Sequence, residues 1–331
     1  MTTDNPKYTI NLVTCDENPV RPLHVIEGII GQEIVKKKLL FLVQSHSIAT
    51  PFPTLLFAGS QGLGKSFMAQ KVADALGRDF VEVNCSGIAT KEDFVENVLL
   101  AKIVGNKEKT LLLDEAHKLT SEVTTLLLTL TNPNLSYTNT LNYKEDIDIV
   151  YNFSKINIIL ATTDSYMICR PLANRAKVIY FNMYEKQEVL DILSFYLGDI
   201  KTNCSTQVAE EIAYACRERA RDAFLLSQDI VRYVNLYNLP CFSDKDWREI
   251  KTILDIQLLG LNSTELLLFK KIHENQPISC KNLALQLGVN ESNIESELEV
   301  RLRELGLIDN TNQGRILSPK GKDLIEKGIL V

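Results

Sequence analysis

Gly59, Gly62, Gly64, Lys65 and Ser66 fall within the eight residues GSQGLGKS. The order Gly-x-x-x-x-Gly-Lys-Ser suits the holding of linked phosphates. Successive backbone N–H groups curl around the anion, and glycine lets the main chain approach it closely. Lys65 would reach the β- and γ-phosphates of such a ligand, and the Ser66 hydroxyl would bind Mg²⁺. An apolar run precedes the loop and a helical pattern follows it, so a helix N-terminus adds positive potential.

A second acid-rich site ends the string TLLLDEAH. Asp114 is placed to hold Mg²⁺ through water, and Glu115 to polarise an attacking water. His117 reads as structural and Lys118 as a solvated surface charge. In IILATTD, Thr163 could hydrogen-bond a γ-phosphate or the water. Taken alone, Arg175 in PLANRAKV reads as a surface salt bridge. Arg221 in RERARDAF reads as part of a solvated basic run with Arg217 and Arg219.

These residues need a scaffold. Short apolar runs at 54–58, 80–83, 110–113 and 156–162 predict buried strands, the last closing the sheet. Helical spacing at 34–44, 66–76, 91–98 and 122–130 alternates with them. The expected fold is an α/β P-loop core, a parallel sheet with helices on both faces. Beyond about residue 181 no further strand is expected before the C-terminal module. Amphipathic stretches at 185–197, 206–217 and 223–237 predict a small all-α lid of three helices, interrupted by NLPCFSDKDW. From Asn262, paired with Glu265 as a capping box, three helices (263–274, 279–287, 291–305) precede a strand-turn-strand and a helix opening on Pro319. That order predicts a C-terminal winged helix. The expected divisions are a polar tail (1–20), the P-loop core (21–182), the lid (183–258) and the winged helix (259–331).

Composition limits what the chain can be. Its 331 residues are 45% hydrophobic and 24% charged, enough for two or three cores. A net charge of −6 excludes a uniformly basic coat for nucleic acid. The seven cysteines form no C-x-x-C pair, which favours reduced thiols over disulfides or a zinc ribbon. No signal-like leader is evident, and no run approaches the about 18 apolar residues of a membrane span. A soluble, cytoplasmic protein is expected. Residues 262–331 carry nine Lys/Arg against ten Asp/Glu. Glu291, Glu295, Glu297, Glu299 and Glu304 would turn phosphates away from the third helix. Arg315 at the wing, with Gly314 allowing close approach, and Lys320 and Lys322 beyond it, are therefore the expected DNA contacts. A winged helix used for protein contacts is the alternative.

The succession RPLHVIEGIIGQEIVKKKL, GSQGLGKS, LLLDEAHKL, ILATTD, PLANR, helical lid and winged helix with QGRILSP resembles the RuvB family of AAA+ motors, which drive branch migration of Holliday junctions. The likeness covers about residues 21–325. The resemblance implies that Thr163 is sensor 1, Arg175 an arginine finger offered to a neighbouring subunit, and Arg221 sensor 2 on the lid. It implies that Ile29, Ile30 and Gly31 border the adenine. It further implies an ATP- and Mg²⁺-dependent ring, expected as a hexamer, acting on duplex or branched DNA. Residues 132–155 stand where that family grips its partner RuvA. Leu135, Tyr137, Leu141 and Tyr143 alternate there, as suits a hairpin for a RuvA-like or other partner, or equally a packed surface hairpin. The chain departs from the family pattern at Ser60 and Gln61, at Asp164 in place of arginine, and at Ala176 in place of phenylalanine. An ATP-switched loader or scaffold for a protein partner, in mobile-element or defence biology, is the rival expectation.

Overall fold

Leu55–Ala58 (β1) is buried at every position, as the middle of a parallel sheet covered on both faces requires. The computed structural model describes residues 22–47, 51–103, 108–131, 138–143, 147–152 and 156–329. The expected tail therefore lies outside the described residues. The chain divides into two compact units, Met1–Asn182 and Met183–Val331.

In the first unit β1 is joined by Asp79–Asn84 (β2), Lys109–Asp114 (β3), Ile156–Thr162 (β6) and Lys177–Tyr180 (β7). The order is β2-β3-β6-β1-β7, and every pairing is parallel. Between β3 and β6 a hairpin pairs Thr138–Tyr143 (β4) with Ile147–Asn152 (β5), Leu141 opposite Ile149 and Tyr143 opposite Ile147. Leu135 and Tyr137 lie outside the described residues.

β6 does not close the sheet, contrary to expectation; β7 does. β7 is a four-residue edge strand, KVIY, and only Ile179 is fully buried. The carboxyl ends of β1, β3 and β6 lie side by side. Ligands of open α/β sheets bind outside such ends, where the connections diverge. One face of the sheet packs on an apolar cluster that includes Leu111, Leu113, Leu127, Leu160 and Leu172.

The second unit begins with helices Lys186–Leu197, Thr206–Ala215 and Ala220–Tyr237. A fourth helix, Asp244–Ile253, corrects the expected three. Its sequence DKDWREIKTI is mostly polar, yet Trp247 and Ile250 are buried and Ser243 with Asp246 forms a capping box. A short parallel pair, Thr202–Asn203 (β8) with Phe242–Ser243 (β9), also appears where only helices were expected. The stretch Asp244–Asn275 reaches a mean hydropathy of 1.2 over 18 residues. Left-handed backbone at Asp255, Leu259 and Gly260 divides it into separate helices.

The winged helix follows in the same unit. Ser263–Asn275 carries the expected Asn262–Glu265 capping box, and Cys280–Leu287 ends at Gly288. Residues 291–304 form the third helix, with one wider π-helical turn at Ile294–Leu298. Ile308–Thr311 (β10) and Gly314–Leu317 (β11) make the hairpin, and Pro319–Glu326 the last helix. Phe269, Ile272, Leu283, Ile294 and Leu302 form its core.

Ion pairs join the helical segment to the winged helix inside this unit. Both terminal nitrogens of Arg217 bind the carboxylate of Glu265, at 2.9 and 2.7 Å, and Glu265 is only 2% exposed. Arg219 pairs with Glu304. Two members of the expected solvated run are thus engaged, and Arg221 remains exposed.

Candidate active site

The phosphate loop spans the turn from β1 to the helix Lys65–Leu76. Gly62 and Gly64 take left-handed backbone, φ +82° and +86°, which glycine adopts without strain. Gly59 is fixed by space: a Cβ there would lie 2.8 Å from the carbonyl oxygen of Phe181. Lys65 is 8% exposed, and its ammonium donates to the carbonyls of Gly59 and Ser60 at 2.7 and 2.8 Å. A cation is thereby held across a loop of main-chain donors at a helix N-terminus, a cradle that fits an anion of several phosphates.

Ser66 Oγ lies 3.5 Å from Asp114 Oδ2, joining the start of that helix to the end of β3. A hydroxyl and a carboxylate so placed are hard oxygen donors that fit Mg²⁺. Asp114 Oδ1 also accepts the Glu115 N–H at 2.9 Å. Glu115 itself has φ +54°, an uncommon conformation for a residue with a Cβ. The turn puts its carboxylate beyond the strand end rather than into the sheet.

Thr163 sits beyond the end of the neighbouring β6, where its hydroxyl donates to Asp164 Oδ2 at 2.7 Å. The imidazole of His117, 5% exposed, lies among these groups. Its Nε2 is 3.3 Å from Glu115 Oε2 and 3.8 Å from Asp164 Oδ2, and its Nδ1 is 3.0 Å from Thr162 Oγ1. The sequence placed His117 two residues from Glu115 but gave no sign of Thr162 and Asp164, more than forty residues on. Cys85 lies close enough to feel the charges of Asp114 and Glu115, and burial together with those charges pushes its thiol up to about 12.

The arrangement matches known proteins. The model of the AAA family, ATPases associated with various cellular activities, matches residues 55–184. The RuvB C-terminal winged helix domain matches residues 258–326. The chain is a RuvB-like AAA+ protein. It is 26% identical to the Holliday junction branch migration complex subunit RuvB of Campylobacter lari, over 94% of this chain and 92% of that one. The RuvB of Rickettsia africae is 24% identical over 91% and 88%. The structure of the Thermotoga maritima RuvB Holliday junction branch migration motor superposes with a TM-score of 0.71 at 23% identity, covering 91% of this chain and 96% of that one. A single-residue variant of the same protein gives 0.73 at 24% identity, over 93% and 99%.

The remaining site residues of this RuvB-like chain divide by location. Ile29, Ile30 and Gly31 lead into the first long helix, Glu33–Ser45, and are tied down by two neighbours the sequence did not single out. Lys36 donates to the Ile29 carbonyl at 2.6 Å, and the Gln32 amide brackets the backbone of Asn182 at 2.6 and 3.3 Å. Arg175 is exposed, and its guanidinium donates to the Leu128 carbonyl. Arg221 belongs to the second unit, on the helix Ala220–Tyr237.

The wing differs from expectation. Arg315 is not at an exposed tip; it lies in β11 and exchanges two backbone hydrogen bonds with Ile278, at 3.1 and 2.7 Å. Its guanidinium binds Glu299 and Glu295 at 2.7 and 2.8 Å. Gly314 serves this close approach, since a Cβ would sit 2.5 Å from the Ile278 carbonyl oxygen. Lys320 donates to the Leu305 carbonyl at 2.7 Å, while Lys322 is exposed.

Proposed function

We propose that this protein hydrolyses ATP in a ring of identical subunits, expected as a hexamer, and uses the cycle to move or remodel duplex or branched DNA. The observation that carries the reading is the convergence of Lys65, the Ser66–Asp114 pair, Glu115 and Thr163 at three adjacent strand ends. Bound Mg²⁺ would supply charge neutralisation at the phosphates, held through Ser66 and Asp114. Lys65 neutralises phosphate oxygens beside it. Glu115 orients and polarises water, Thr163 senses the terminal phosphate, and Arg175 serves the site of the next subunit. Ile29, Ile30 and Gly31 border the base, and Arg221 reports nucleotide to the lid. A cytoplasmic location accompanies this reading.

The DNA part rests on likeness to the RuvB proteins of branch migration. The hairpin of β4 and β5 would then meet a RuvA-like or other partner. A second reading has its own support: Arg315, the wing cation expected to contact DNA, is held by Glu295 and Glu299. That favours a winged helix docking a protein, in an ATP-switched loader or scaffold. ATP turnover measured with and without duplex and four-way DNA separates the two. Stimulation by DNA together with branch migration supports the motor; turnover indifferent to DNA, with a protein co-purifying in ATP, supports the scaffold. A Glu115→Gln chain that turns over ATP at the parent rate would sink both.

A further inference from the structure

We propose that His117 is a positioning residue for Glu115, and that Asp164 is the second acceptor between which its Nε2–H is shared. The inference rests on the reading of Glu115 as the water-polarising group. It starts from what each atom can do. An ionised carboxylate only accepts hydrogen bonds, so Nε2, 3.3 Å from Glu115 Oε2, carries a hydrogen. In the neutral ring Nδ1 is then an acceptor, and the Thr162 hydroxyl donates to it at 3.0 Å. Thr162 Oγ1 in turn accepts the backbone N–H of Asp164 at 3.0 Å. One directed chain runs from the end of β6 through His117 to Glu115, and the imidazole at its centre is nearly closed to water.

The same Nε2 lies 3.8 Å from Asp164 Oδ2, too long for a hydrogen bond and short enough for a small shift to make one. That oxygen is already served by the Thr163 hydroxyl at 2.7 Å. While Thr163 donates to Asp164, Glu115 keeps the imidazole. When Thr163 turns its hydroxyl to a terminal phosphate, Asp164 Oδ2 loses its donor. A carboxylate oxygen left without a donor beside a buried N–H draws it in. The His117 Nε2–H is then shared between Glu115 and Asp164. It still orients the Glu115 carboxylate, but the weaker hydrogen bond leaves that carboxylate able to accept from water. The departure at Asp164 from the family's usual arginine gives this chain an acceptor where a cation would repel the imidazole N–H.

Nitrogen-15 NMR of the imidazole in the intact, nucleotide-free protein tests the first half. The expected signature for His117 is a protonated Nε2 and an unprotonated Nδ1; the opposite tautomer overturns the proposal. The second half is tested by adding a non-hydrolysable ATP analogue with Mg²⁺. The Nε2 resonance is expected to move in the parent and stay fixed in Asp164→Ala; an equal response in both overturns it. His117→Ala is expected to bind the analogue as the parent does and lose about 10–100-fold in turnover, with partial recovery in His117→Asn, whose amide can donate. Parent-rate turnover in His117→Ala overturns the proposal. If Glu115→Gln is inactive in the same assay, the hydrolytic reading survives that failure. If Glu115→Gln is also fully active, that reading falls first.

Discussion

Arg315 Nε donates to Glu299 Oε1 at 2.7 Å, and Glu299 is fully buried. A carboxylate taken out of water needs a partner of opposite charge, and the wing supplies it from the neighbouring strand. Arg315→Ala leaves that charge without its closest cation. The expected result is a loss of about 3 kcal/mol in stability, read by chemical denaturation of the full chain. The double change Arg315→Met with Glu299→Leu should recover most of it, because no unpaired charge then stays buried. An unchanged denaturation curve in Arg315→Ala would show that the pair contributes nothing.

Lys65→Ala should remove tight ATP binding. The lysine is the side-chain cation held across the loop, and charge-assisted hydrogen bonds to phosphate are each worth about 1.5–3 kcal/mol. A loss of about 100-fold in affinity is expected in a nucleotide titration, about 3 kcal/mol. Equal affinity for parent and variant would rule out this loop as the phosphate site.

Arg175→Ala should bind nucleotide normally and turn over about 10³–10⁵-fold more slowly, the range for a transition-state arginine. The residue is exposed, with its guanidinium on the Leu128 carbonyl, as suits a group offered to another subunit. Mixing Arg175→Ala with Lys65→Ala chains should restore part of the activity, since some interfaces would pair an intact loop with an intact arginine. If no mixing ratio restores turnover, Arg175 does not act across an interface.

Cys85 should resist thiol reagents in the folded protein. It is fully buried, and burial followed by the charges of Asp114 and Glu115 pushes its pKa from 9.0 to about 12. At pH 8 that leaves about one thiolate in 10⁴, against about one in ten for the unfolded thiol. Maleimide labelling followed by peptide mapping should find Cys85 modified only after denaturant is added. Rapid modification of the native chain would contradict the packing at the base of the site.

The sequence by itself determined the P-loop, the Asp114–Glu115 pair, the buried strands β1, β3 and β6, and the winged-helix order. Each is written in contiguous residues: a fixed glycine spacing, an apolar run of strand length, or a cap such as Asn262 with Glu265. β7 and the helix Asp244–Ile253 were not legible. The first is a four-residue strand at the sheet's edge with one fully buried residue. The second is amphipathic, but it is so polar overall, and begins so soon after the proline turn of NLPCFSDKDW, that its start reads as a loop. Tertiary structure alone decided where the charged side chains act. Arg217 on Glu265, Arg315 on Glu299, and His117 between Glu115, Thr162 and Asp164 join groups far apart in the chain. A charge is legible in sequence as a residue type, but its partner is set by burial: once water is excluded, each buried ion must find a counter-ion or donor, and only the folded chain brings one within reach.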